Sequence, residues 1–214
     1  RVPRRRVTCT ARSLVAAPTT AAGTGVVRHL IAAVVASVMD RDDRLRVALL
    51  DASHGDTHTR RNFRRELDAD LVELDVTEGD CPDGFGFDAI VVTGSRASVY
   101  WDEAWIGQLI DYVGAAHDRG VPILGVCYGH QILAAALGGR VESMGEYEIG
   151  YREITRTADD DLFAGIPETF TAFTTHSDVV ADLPPDAELL AENDFGVHAF
   201  RRDRAWGVQF HPEY

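Results

Sequence analysis

The sequence predicts an α/β fold: an open, mostly parallel sheet with helices on both faces, a strand-to-helix elbow carrying a cysteine, and extra short antiparallel strands in the C-terminal half. Three observations carry this reading. Between Arg46 and Leu137, short continuous apolar runs alternate with segments of helical period, the pattern of a parallel sheet covered on both sides. One joint between a strand and a helix reads Gly125-Val126-Cys127-Tyr128-Gly129. Beyond Gly139 the texture changes to short β-like runs separated by turns.

The elements follow in order. Arg46 to Ala52 (RVALLDA) is continuously apolar at its centre and reads as a buried parallel strand. A helix is expected from Thr57 to Leu67 and a second strand from Asp70 to Asp75. Phe87 to Gly94 (FDAIVVTG) reads as a third strand ending in a glycine loop. Ala104 to Asp118 has helical periodicity, and Gly120 stops it. Val121 to Cys127 is another buried strand, and Tyr128 to Leu137 a helix ended by Gly138 and Gly139. The later β-like runs are Phe170 to Thr175, Glu188 to Glu192, Val197 to Arg201 and Ala205 to Phe210, which are expected to close over the sheet edge and return to its end.

Length and composition bound the rest. The chain has 214 residues, 45% of them hydrophobic, which suits one domain with a sizeable core rather than a disordered chain. The net charge of −13 is unevenly spread: residues 1 to 44 carry eight Arg against three Asp, a net +5, and residues 45 to 214 carry thirteen Arg against thirty-one Asp and Glu, a net −18. A body this acidic would repel a phosphate backbone, and no nucleic-acid partner is expected. Every one of the 21 basic residues is Arg. An acidic surface without Lys fits a salt-adapted, halophilic source, and equally a GC-rich genome that favours Arg codons. The three cysteines Cys9, Cys81 and Cys127 are odd in number and fit no zinc spacing, which points to a reduced, cytoplasmic protein with one chemical thiol. The apolar stretch Leu30 to Met39 is too short to cross a bilayer, so no membrane partner is expected. Residues 1 to 44 lack a core pattern and are expected to be a disordered or non-native extension, with a transit segment as the alternative. The domain proper is expected to span residues 45 to 214.

The elbow is the first site of chemistry. Gly-x-Cys-x-Gly between a strand and a helix matches a nucleophile elbow with Cys in place of Ser. Its glycines permit a turn too sharp for a Cβ, and the turn sets the sulfur at a helix N-terminus, where thiolate is favoured. A lone Cys among apolar residues is usually core packing; the flanking glycines argue against that here. A cysteine nucleophile needs a base and a group to orient it. Gln209-Phe210-His211-Pro212-Glu213 offers both. Pro212 disfavours helix at His211, and residues two apart in an extended segment point the same way, so His211 and Glu213 can meet. Alone, His-Pro-Glu would be an ordinary surface turn. The third element is Thr93-Gly94-Ser95-Arg96, a turn at the ligand edge of an open sheet. Its N–H groups, with that of Tyr128, suit an oxyanion hole; a plain strand-to-helix turn is the alternative, and both remain open.

Taken together, GVCYGHQ, ALGGRV (Ala136 to Val141) and the closing GVQFHPEY resemble the class I glutamine amidotransferase family over about residues 46 to 214. The resemblance implies an enzyme in which a cysteine attacks the side-chain amide of glutamine, ammonia leaves, and water releases glutamate. Carried over by motif, Cys127 is the nucleophile, His211 the general base and acid, and Glu213 the orienter. Gln131 falls where the family places a residue contacting glutamine. Thr175-His176-Ser177-Asp178 resembles the segment lining the glutamine site in glutaminase domains of GMP synthases, which implies substrate-binding roles for His176 and Ser177. Gly94, Ser95, Ala97 to Tyr100 and Glu148-Ile149-Gly150-Tyr151 are similar to the same group. Two departures stand out. The usual Gly-Gly-Pro turn reads Gly94-Ser95-Arg96, and the sequence ends at Tyr214 where the family adds a helix.

Three functions are consistent with this. One is a glutaminase that supplies ammonia to an ATP-dependent synthetase partner, GMP synthesis being the leading case; the chain shows no phosphate-binding glycine motif of its own. Another is a stand-alone γ-glutamyl peptide or amide hydrolase. A third is a non-catalytic binding domain, which would have no need of Cys, His and Glu together. No cofactor is expected. His54 and His58 lie four apart, but Gly55 weakens a helix there and no third ligand is evident, so no metal is expected. Trp101 and Trp105 read as helix anchors and Asp159 to Asp161 as a solvated turn.

Overall fold

In a computed structural model, residues 44 to 214 are described, and among them nine strands form one mixed sheet. The expectations for the N-terminal extension, Cys9 and the Leu30 to Met39 stretch lie outside the described residues. In chain order the elements are β1 (Arg46–Asp51), α1 (Thr57–Glu66), β2 (Asp70–Asp75), β3 (Ala89–Val92), α2 (Ala104–Asp118), β4 (Ile123–Val126), α3 (Tyr128–Ala136), β5 (Arg140–Arg156), β6 (Thr169–Asp182), β7 (Glu188–Asn193), β8 (Gly196–Arg202) and β9 (Ala205–Val208). Short 3-10 turns follow β2 and β5.

The sheet order is β2-β1-β3-β4-β9-β8-β7-β5-β6. Its first five strands are mutually parallel and the pairings from β9 through to β6 are antiparallel. Alternation along each strand fills two cores. Ala48, Leu50, Ile90 and Val92 face α2 and α3, meeting Leu109, Val113, Ile132 and Leu133. Val47, Leu49, Val91, Leu124 and Val208 face the other way, meeting Phe63 of α1, Leu162, Phe163 and Phe210. Burial on both faces explains why these strands read as continuous apolar runs. Asp56 caps α1, its carboxylate accepting from the His58 N–H at 2.9 Å.

The C-terminal half departs from the expected short strands at one place. β5 and β6 are long, 17 and 14 residues, and pair as a hairpin at the sheet edge. The sequence hides β5 because only Glu148 and Ile154 along it are buried, so no alternating apolar signal exists. No described helix is long and apolar enough to cross a membrane.

Two glycines set how closely α3 lies on the sheet. A Cβ on Gly125 would sit 2.2 Å from the Gly129 carbonyl oxygen, and one on Gly129 would sit 2.3 Å from that of Val92. Both neighbours are backbone and cannot step aside. Gly129→Ala is therefore expected to cost about 3 kcal/mol or more in urea unfolding, near the top of the range for single changes. Gly107, on the exposed face of α2, has nothing within 4 Å of its missing Cβ. Gly107→Ala is expected to stabilise by roughly 0.5–1 kcal/mol, and a loss of stability there would contradict the packing described.

His130, next in α3, is wholly buried against the Phe200 ring at 5.0 Å, and burial pushes its pKa down to about 3. The unfolded chain binds this proton near pH 6.5 and the folded chain does not, so folding loses stability as pH falls from about 6.5 towards 3. The melting temperature of His130→Leu is expected to decline less steeply over that window than that of the parent chain. Parallel curves would exclude this source of acid sensitivity.

Candidate active site

Because β1, β3, β4 and β9 run in one direction, their C-terminal ends share one edge, where open sheets of this kind bind ligands. Each end supplies part of a cavity of about 470 Å³. After β1 come Ser53 and Asp56; after β3, Gly94, Ser95 and Arg96; after β4, Cys127; after β9, His211 and Glu213. Gln131 of α3 and Thr175, His176, Ser177 and Asp178 of β6 complete most of the wall. The sequence-predicted site residues are thus brought together, except that the Tyr128 side chain turns into the core beside Trp105 and leaves only its backbone to the site.

Cys127 stands at the elbow with φ 53° and ψ −103°, a conformation L-residues rarely adopt. Val208 holds it there by accepting from its N–H at 2.8 Å, while Gly125 and Gly129 allow the turn to close. Strain held by surrounding structure in this way marks functional positions. The sulfur lies at the start of α3, whose first N–H groups have no partners within the helix.

His211 is fixed from two sides. Its N–H donates to the Phe173 carbonyl at 2.8 Å, and its Nδ1 donates to Glu213 Oε1 at 2.8 Å. Glu213 is 1% exposed, and its own carbonyl accepts from Arg65 of α1 at 2.8 Å. With Nδ1 engaged, Nε2 is the nitrogen left for chemistry, and it has no hydrogen-bond partner among the described residues. The Cys127 thiol meanwhile donates to the Thr175 carbonyl at 3.8 Å. The two groups still feel each other. Burial opposes charge on the His211 ring, but its interactions with Cys127 and Glu213 outweigh burial and raise the ring's pKa well above the usual value.

Gly94 sits between them. A Cβ there would lie 3.1 Å from His211 Cε1 and 3.9 Å from Cys127 Sγ. The turn itself is secured by Thr93, whose hydroxyl accepts from the Ala52 N–H at 2.9 Å, and by Ser95, whose hydroxyl accepts from the Ala97 N–H at 3.2 Å. Gln131 commits its amide nitrogen to protein, donating to the Asp178 carbonyl at 3.0 Å and to Gln209 Oε1 at 3.1 Å. His176 lines the cavity, yet both its ring nitrogens face protein: Nδ1 meets the Asp178 carbonyl at 2.9 Å and Nε2 meets Glu148 at 2.6 Å.

Glu148, His176 and His198 form a group with the donor types of a metal site, all buried. Their spacing fits hydrogen bonds better. Two donors on one tetrahedral zinc lie roughly 3.3 Å apart, whereas His176 is 2.6 Å and His198 3.1 Å from the same carboxylate oxygen. His54 and His58 form no such group; His54 stacks edge-on to Trp105 at 5.6 Å. Sequence reasoning missed His198, Thr175 as a carbonyl partner of the thiol, and Arg65 behind Glu213. Nothing local signals them, since each acts through a long-range contact.

The fold and this edge define an α/β domain with a cysteine elbow. The family model for glutamine amidotransferase class-I matches residues 53–214. The chain belongs to that family and is an enzyme domain of the class. It is 42% identical over 125 residues to a GMP synthase (glutamine-hydrolyzing) of Thermomicrobium roseum and 37% identical over 127 residues to that of Staphylococcus aureus. Each match covers 58% of this chain but 23% and 24% of the relative, so the chain spans about a quarter of the length of these relatives. Among solved structures, a putative GMP synthase subunit protein from Thermoplasma acidophilum superposes with TM-score 0.66 at 27% identity, covering 81% of this chain and 87% of that one. A glutamine amidotransferase from Thermotoga maritima shares the fold at TM-score 0.70 and 23% identity, covering 80% and 77%.

Gly94→Ala tests whether the three elements form one working unit. The added methyl should displace the His211 ring, its one tight contact, while meeting Cys127 only at ordinary van der Waals distance. Alkylation of Cys127 by a glutamine-mimicking diazoketone is expected to slow by about tenfold, with the melting temperature within a few degrees of the parent. Unchanged labelling would mean that the ring is not part of the reacting group.

Proposed function

We propose that the domain hydrolyses the side-chain amide of glutamine, or of a close γ-glutamyl relative, with Cys127, His211 and Glu213 as the catalytic set. The observation that supports this most is the buried Nε2 of His211, oriented by Glu213 and electrostatically coupled to a sulfur on a strained elbow. The Cys127 thiol gives its proton to His211 Nε2 as the sulfur attacks the amide carbon, and the oxyanion is received by the Tyr128 N–H together with N–H groups of the Gly94–Ser95 turn. His211 passes its proton to the departing nitrogen, ammonia leaves, and a thioester remains. Water then attacks the thioester with His211 as base, releasing the γ-carboxylate and restoring the thiol. Gln131 and Ser177 line the substrate side of the cavity.

On this reading the ammonia goes to an ATP-dependent synthetase, as the names of the GMP synthase relatives suggest. Stand-alone hydrolysis of γ-glutamyl amides is the second reading, and the exposed Arg96 at the cavity rim, where the family's turn usually has Pro, favours it. Cys81 and Cys127 are both free, which fits a reducing, cytoplasmic setting.

Cys127→Ala is expected to abolish turnover with the fold kept. His211→Ala should lower the rate by on the order of a hundredfold or more, because the proton transfer itself is lost. Glu213→Gln should cost less, and neither change should matter further once Cys127 is gone. Ammonia release from glutamine and from γ-glutamyl peptides, measured side by side, checks these values and ranks the two readings. Labelling chiefly at Cys81, or full activity in His211→Ala, would overturn the assignment.

A further inference from the structure

Where the β5–β6 hairpin passes the cavity, its main-chain pairing lapses. Ser143 pairs with Asp178 and Glu148 with His176, so Met144 to Tyr147 stand opposite Ser177 alone. β6 is also the edge strand of the sheet, with no further strand beyond it among the described residues. The cavity wall at Thr175 to Asp178 therefore needs another means of support.

Glu148 supplies one. Its carboxylate is fully buried and does not line the cavity. It accepts from His176 Nε2 at 2.6 Å, from His198 Nε2 at 3.1 Å and from Asn193 Nδ2 at 2.6 Å, with the Arg152 guanidinium at 4.0 Å. These partners come from β6, β8 and β7, so one side chain ties together the four strands at this end of the sheet. Burial alone would raise its pKa, but the donors from His176 and His198 outweigh burial and hold the carboxyl far below the usual range, as an ion. The contact continues to the elbow. His176 Nδ1 meets the Asp178 carbonyl, which accepts from Gln131 of α3, and the neighbouring Thr175 carbonyl takes the Cys127 thiol.

We propose that Glu148 is a positioning residue, which fixes the Thr175–Asp178 wall against the cysteine elbow and so shapes the cavity for a γ-glutamyl group. The proposal rests on the hydrolase reading above only for the identity of that group. The ion suits the task because a carboxylate accepts on both oxygens at once, whereas a neutral amide of the same shape accepts on one. Both Glu148 oxygens are occupied, one by the two histidines and the other by Asn193, and a wall that loses one of these acceptors loosens.

Glu148→Gln in the intact chain is the test. KM for glutamine is expected to rise by about tenfold with kcat changed by less than about threefold, the signature of lost binding rather than lost chemistry. Labelling of Cys127 by the glutamine-mimicking diazoketone should slow in proportion. Iodoacetamide, which needs no γ-glutamyl fit, should react within about twofold of the parent rate. Amide exchange across Thr175 to Asp178 should quicken. Unchanged KM, labelling ratio and exchange would overturn the proposal. If Glu148→Gln does not fold, His198→Phe removes one donor instead; a smaller shift in the same ratio supports the proposal, and an unchanged ratio overturns it. If the parent chain neither hydrolyses glutamine nor takes the diazoketone, the hydrolase reading falls. Exchange in the variant then decides alone: faster exchange keeps the positioning role and unchanged exchange removes it.

Discussion

The close approach of α3 to β3 and β4 is the constraint on which the site depends, because it leaves room for neither a side chain at Gly125 nor one at Gly129. With both positions reduced to backbone, the chain turns sharply enough to push Cys127 into positive φ and lift its sulfur clear of the sheet. The same turn sets Cys127 at the cap of α3, next to the helix's first N–H groups, which have no partner within the helix. A looser approach would relax the cysteine into the core and separate it from those donors. The strain is tolerated because the Val208 carbonyl and the packing of Tyr128 and Ile132 determine the position from several directions.

Charge in the site is managed by pairing within burial. Glu213 and Glu148 are both almost completely shielded from water, and each meets a histidine on β6 or in the segment after β9. The roles differ. Glu213 leaves one ring nitrogen of His211 facing the sulfur, whereas Glu148 and the Asp178 carbonyl use both nitrogens of His176. Two superficially similar His–Glu contacts thus sort into one poised for proton transfer, on the proposed chemistry, and one that serves the wall.

Much of this was legible in the sequence, for identifiable reasons. The parallel strands announce themselves because they are buried on both faces, and the elbow does so because sterics admit only glycine at its flanks. His211 and Glu213 were legible by their motif, but not by the extended geometry expected for them: Pro212 and Glu213 form a turn, with the Tyr214 N–H on the His211 carbonyl, and the two side chains meet across it. β5 was not, since its exposed, charged length carries no period that burial would impose. Nor was the carboxylate network of Glu148: its donors come from strands that meet only in the folded sheet, and a lone His198 in an apolar run looks like any core residue. Arg65, which holds the Glu213 carbonyl, has the same character, 148 positions away in sequence.

The placement of β9 between β4 and β8 has a consequence for the order in which the molecule is assembled. β4 carries the cysteine elbow at its end, yet the strand that pairs with its second edge is the last of the nine to be synthesised. Until that strand arrives, β4 has an open edge and the antiparallel strands β5 to β8 are not joined to the parallel half. His211 follows the same strand, so it reaches the cavity only then. Insertion of β9 joins the two halves of the sheet and brings His211 to the edge that holds Cys127, a pairing of the long sequence separation that slows folding.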